Sequence, residues 1–100
     1  MCLLDWGVVS HEVRRDDAAQ RYELWVDGER VGIADFHVEG DTVVMPHTVI
    51  DRQRRGQGLG ALLVEGALAD VRAQGRLVVP TCWYVREYLD THPEAADLLA

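Results

Sequence analysis

The chain has 100 residues, 48% hydrophobic and 27% charged, with a formal net charge of -7. That length fits a single domain over residues 1–100 and buries roughly two-thirds of its unfolded surface, enough for one small core. All ten basic residues are arginine. A chain without lysine forms no side-chain Schiff base and holds no Gly-Lys-Ser/Thr phosphate loop. The acidic balance argues against a nucleic-acid partner, which usually meets a basic face.

Residues 1–6, Met-Cys-Leu-Leu-Asp-Trp, carry no basic stretch and no long apolar run, so no signal peptide is expected. No window approaches about 18 uninterrupted apolar residues, so no membrane span is expected either. Cys2 and Cys82 are far apart. One disulfide is conceivable, but free thiols in a cytoplasmic protein are the simpler reading.

In chain order, Gly7–Val13 reads as an unclear first strand and Arg14–Gln20 as a charged loop. Tyr22–Val26 alternates apolar and polar residues, the period of a strand. Asp27-Gly28 is a hairpin signal, and Val31–Val38 is the return strand. Glu39-Gly40-Asp41 turns the chain into a third strand, Thr42–Ile50, which completes an antiparallel meander. Pro46 has no N–H to donate, so this strand is expected to be irregular near Met45–His47, as an edge or a bulge.

Leu59, Leu62, Leu63, Gly66, Ala67, Asp70 and Val71 fall at helical spacing. The helix fades at Ala73–Gly75, with Gly75 as its stop. Arg76–Pro80 reads as a short buried strand, and the strand–helix–strand order favours a parallel pairing. Thr81 is placed to cap a second helix from Cys82 to about Leu89. Pro93–Leu99 reads as one or two helical turns. The fold class is α+β: a meander, then a strand–helix–strand unit, then a C-terminal helix.

The segment Arg54-Arg55-Gly56-Gln57-Gly58-Leu59-Gly60 lies between a strand and a helix. Its glycines allow close backbone approach. The helix start offers unpaired N–H groups and partial positive charge, and the arginines offer forked donors. These are the parts of a pyrophosphate grip, although a glycine turn that merely starts a helix has the same look. The formal match to Gly-x-Gly-x-x-Gly/Ala is a poor dinucleotide signal here. It follows a meander and position 80, where an acidic residue belongs, is proline.

Arg55, Gly58 and Gly60 also meet the pattern Arg-x-x-Gly-x-Gly. With His47–Asp51 before the loop, Val78–Val85 after it, and Tyr88 and His92-Pro93-Glu94 near the end, the chain resembles the GNAT acetyltransferases. In particular it resembles their short single-domain members, over about residues 22–95. The resemblance implies a compact GNAT-like fold and an acetyl-CoA-dependent N-acetyltransferase acting on an amine by direct transfer in a ternary complex. A non-catalytic acyl-CoA-binding module of the same fold is the alternative. The resemblance assigns Arg54, Arg55, Gly56, Gln57, Gly58, Leu59 and Gly60 to the pyrophosphate, and Thr48, Val49 and Ile50 to the pantetheine arm. It implies that Trp83, standing where a small polar residue is common, narrows the mouth of the site. The expected assembly is a monomer or weak dimer.

Four side chains are candidates for proton transfer. Cys82 is expected at a helix start, which favours thiolate, and the resemblance places it near the coenzyme thiol; free cysteines are equally at home buried in a core. His47 suits a general base or packs on the sheet. Tyr84 and Tyr88 lie four apart on one helix face, as proton donors or as packing. His11, His37, His47 and His92 are scattered and no metal-ligand pair exists, so no metal is expected.

Overall fold

The computed structural model describes residues 10–100. Five strands form one sheet in the order β1-β2-β3-β4-β5: β1 (His11–Asp16), β2 (Arg21–Val26), β3 (Glu29–Glu39), β4 (Thr42–Ile50) and β5 (Leu77–Val79). The first four are antiparallel neighbours, and β5 runs parallel to β4. Helix α1 (Leu59–Ala73) joins β4 to β5, and α2 (Trp83–Thr91) and a 3-10 segment (Pro93–Leu98) follow. This is the expected α+β order.

The β2–β3 turn is Asp27-Gly28, with φ of 50° and 83°. Two consecutive left-handed residues are what a two-residue hairpin of right-handed twist demands. The first strand differs from the expectation: Arg14, Arg15 and Asp16 belong to it, paired with Glu23, Tyr22 and Arg21. Its cross-strand ladder overrides the loop-like composition, because charged side chains can alternate outward along a half-exposed strand. The part of the predicted strand at Gly7–Val9, and Cys2 with its conceivable disulfide, lie outside the described residues.

Helix α1 lies on the sheet face that carries Tyr22, Leu24 and Ala34, all essentially buried, and Leu63, Val64, Ala67 and Val71 of α1 share their core. Gly66 permits the close approach of β1: an added Cβ would stand 2.5 Å from Val13 Cγ2. Asp70, the polar residue on the helix's inner stripe, has a purpose there. It accepts from the Tyr22 hydroxyl at 2.7 Å, from Arg15 at 2.8 Å and from the Gln74 amide at 2.7 Å. Burial, reinforced by the bond to Asp70, pushes the Tyr22 phenol well above its ordinary pKa. Gly75, at φ 72°, turns the chain out of α1.

The irregularity expected at Pro46 is a bulge. Asp35 pairs with His47 and His37 with Val44, so Met45 and Pro46 together face the single residue Phe36. Below the bulge β4 pairs with β5 over three residues only, Thr42–Val44 against Leu77–Val79. The Cys82 amide donates to the Met45 carbonyl at 3.0 Å, and there the two chains part. That bond also moves the second helix. Cys82 is extended, α2 begins at Trp83, and no side chain caps it, so Thr81 does not have the expected capping role.

Candidate functional site

The parting of β4 from β5 opens a slot on the sheet edge. The cleft above it measures about 480 Å³ and is lined by β4 (Thr48, Val49, Ile50), the glycine loop (Arg54, Arg55, Gly56, Gly58), the start of α1 (Leu59, Gly60) and the start of α2 (Cys82, Trp83, Tyr84). Three separate segments of the sequence therefore meet at one place.

Strand pairing decides which backbone groups face the slot. The Asp51 amide donates to Val31 of β3 at 2.8 Å. Antiparallel pairing alternates, so Val49 and His47 also spend their backbone groups on β3, whereas Thr48 and Ile50 present theirs to the free edge. Of the three residues that the resemblance assigns to the pantetheine arm, Thr48 and Ile50 turn their backbone groups outward and Val49 does not. Val49 contributes its half-exposed side chain instead.

The loop takes its shape from two left-handed glycines, Gly56 (φ 84°) and Gly58 (φ 75°). Gly58 is the N-cap of α1 and supplies no side-chain cap. The first N–H groups of the helix are thus uncapped beside the cleft, an arrangement suited to an anion. Arg55 Nε donates to the Ile50 carbonyl at 3.1 Å, tying the loop to the strand end. Arg54 is held by Glu29 of β3 at 2.7 Å.

Two of the four proton-transfer candidates reach the cleft. Cys82 is buried, and its thiol approaches the Thr48 hydroxyl at 3.7 Å. Tyr84 lies against α1 at Gly60, edge-on to the largely exposed Trp83. Burial, and secondarily the charge of Glu87, raises the Tyr84 phenol above its ordinary value, so it is protonated at neutral pH. Tyr88 is elsewhere: it stacks on His92 at 3.7 Å in the groove behind α2. His47, on the same face of β4 as Val49 but two residues before it, does not line the cleft, and neither does Gln57. Trp83 is among the residues that line the cleft and is largely exposed.

A mixed sheet split beside a glycine–arginine loop is the architecture of a class of acyl-group transferases. The chain belongs to the GCN5-related N-acetyltransferase family, whose model matches residues 21–98. No curated protein matches it in sequence. Among solved structures, a GCN5-like protein from Staphylococcus aureus shares the fold at TM-score 0.68 with 14% identity, over 89% of this chain and 87% of that one. A GNAT-family N-acetyltransferase from Escherichia coli, solved with CoA, is 29% identical over 66% of this chain and 42% of its own, at TM-score 0.53. The ribosomal-protein-S18-alanine N-acetyltransferase of Escherichia coli matches at TM-score 0.56 and 21% identity over 60% of this chain. The chain spans 39% of that enzyme's length.

Proposed function

We propose that this chain binds acetyl-CoA in the cleft and transfers the acetyl group directly to an amine. The observation that carries this reading is the slot itself. Backbone groups of Thr48 and the Ile50 N–H, turned away from β3, line one side, the Ile50 carbonyl being taken by Arg55, and the uncapped start of α1 lies within the same cleft. The residues present suit the donor. Arg54, Arg55 and the N–H groups around Gly56–Gly60 provide positive charge and donors for a pyrophosphate. Ile50 N–H is a donor on the strand edge, suited to an amide of the pantetheine arm or to the developing oxyanion.

When bound, the donor supplies an activated thioester; the chain supplies position and protons. Holding the thioester along β4 makes the amine's attack effectively intramolecular. The protonated Tyr84 phenol is suited to donate to the departing thiolate. Cys82 lies in the same lining, close to Thr48, and serves in our reading as a wall of the thiol end of the slot.

Isothermal titration with acetyl-CoA, followed by assay of thiol release with an amine panel, tests this reading. Arg55→Ala should weaken binding about tenfold, equivalent to about 1.4 kcal/mol. Absence of binding at millimolar ligand would overturn it. Binding without turnover by any amine would instead support the non-catalytic acyl-CoA-binding module.

A further inference from the structure

Asp35 and His47 lie outside the lining of the cleft. They are cross-strand partners on β3 and β4, with His47 Nδ1 3.8 Å from Asp35 Oδ2. Both project from the sheet face opposite α1, because Gly32, Ala34, Thr48 and Ile50 occupy the α1 face. His47 shares its face with Val49, two residues and about 7 Å along the strand. Val49 lines the cleft. The bulge at Met45-Pro46 immediately precedes His47, and a bulge bends a strand and re-aims the residues beside it.

The charged groups nearby are few. Arg21 of β2 opposes Asp35 in register, but its Nε is bonded to Glu23 at 3.0 Å. Asp51 follows Val49 by two residues at the end of the strand. The His47 side chain is 74% exposed and that of Asp35 44%. A pair this open adds little to stability, so its removal separates function from folding.

We propose that the acceptor amine enters across this sheet face and gives its proton to His47, with Asp35 as the positioning residue for the imidazole. The inference rests on the acetyl-transfer reading and supplies its acceptor side. A primary amine that is cationic in solution must lose a proton before its nitrogen can attack. That proton passes to the imidazole, whose positive charge the Asp35 carboxylate offsets. The C–N bond then forms, the C–S bond breaks and the thiolate takes a proton from Tyr84; the nitrogen sheds its second proton to solvent as the amide forms, and the Tyr84 phenolate takes one back from solvent. His47 returns its proton to solvent, to which it is open. An exposed sheet face selects for an amine on an accessible chain end, such as an alkylamine or a peptide N-terminus, over one that needs an enclosing pocket.

The test is acetyl transfer to ethylamine, 2-methoxyethylamine and trifluoroethylamine, a series of falling basicity, by the unmodified chain, His47→Gln and Asp35→Asn. Loss of the base should lower kcat for ethylamine on the order of 10²-fold. The loss should shrink toward trifluoroethylamine, which is already neutral at assay pH. Asp35→Asn should show the same gradient with a smaller loss. Acetyl-CoA affinity and Tm should be unchanged in both variants. No loss, or an equal loss across the series, overturns the proposal while leaving the acetyl-transfer reading in place. Failure of the unmodified chain to bind acetyl-CoA overturns both.

Discussion

The Tyr84 hydroxyl occupies the space that a side chain at position 60 would need: a Cβ on Gly60 would lie 2.8 Å from the phenol oxygen and 3.0 Å from Cζ. The glycine thus does more than open the loop. It lets an aromatic ring from α2 rest on the first turn of α1 and close one side of the cleft. Gly60→Ala should swing the ring into the cleft and weaken acetyl-CoA binding about fivefold, roughly 1 kcal/mol. Stability should change little, because alanine favours the helix by about 1 kcal/mol. In a Tyr84→Ala background the same substitution should cost no affinity. Titration calorimetry on the four combinations checks this, and a Gly60 effect that survives removal of Tyr84 would refute it.

Gly58 makes the opposite case. An added Cβ there meets nothing within 4 Å, but φ is 75°. The cost of Gly58→Ala is therefore conformational, about 1–2 kcal/mol for a left-handed residue. We expect a drop in Tm of roughly 4–16 °C, at about 4–8 °C per kcal/mol for a domain this size, together with weaker binding as the helix start shifts. Thermal unfolding with and without acetyl-CoA measures both; an unchanged Tm contradicts the left-handed assignment.

Arg54 is partly engaged by Glu29 at 2.7 Å, on the same cleft wall that would meet a pyrophosphate. A surface pair of this kind contributes about 0–1 kcal/mol. Glu29→Gln should release the guanidinium and remove a nearby negative charge, tightening acetyl-CoA about two- to fivefold. The gain should fade as salt is raised. Weaker binding in this variant would mean that the pair holds Arg54 in its working position instead.

Glu23, on the sheet face away from α1, is almost fully buried. Burial alone would raise its carboxyl, but bonds from Trp25 and Arg21, the Arg21 charge, and a further bond from Arg30 outweigh it and hold the pKa below the ordinary value. A carboxyl depressed on folding stabilises the native state above its unfolded pKa, near 4.5, and that contribution is lost as pH falls through the folded value. Glu23→Gln should cost about 1–3 kcal/mol at pH 7, the range for unpairing a buried polar group. The difference from the unmodified chain should narrow below pH 4.5. Urea unfolding at pH 7 and pH 3.5 provides the comparison, and an equal deficit at both would show that charge is not the cause.

Most elements of the fold could be read from the chain. Period-two alternation marks β2, Asp27-Gly28 marks its turn, and Pro46 marks the bulge. Gly75 marks the end of α1. Each is a local requirement of backbone geometry, so local sequence records it. The charged half of β1 could not be read this way, since Arg14–Asp16 is held in the sheet by its partners on β2. The start of α2 also escaped, because the bond from Cys82 to Met45 spans 37 residues.

For the site, the sequence by itself determined the loop. Its two left-handed turns need glycine, and its charge comes from arginine in a chain that has no lysine. Only the tertiary structure decided which candidates meet. Strand parity, set by the bond from Asp51 to Val31, turns Thr48 and Ile50 rather than Val49 toward the free edge. Helix position puts Tyr84 on Gly60 and Tyr88 behind α2. The face of β4 sends His47 to Asp35 and away from the loop. Such meetings depend on register and on packing between segments distant in the chain, which no short stretch of sequence encodes.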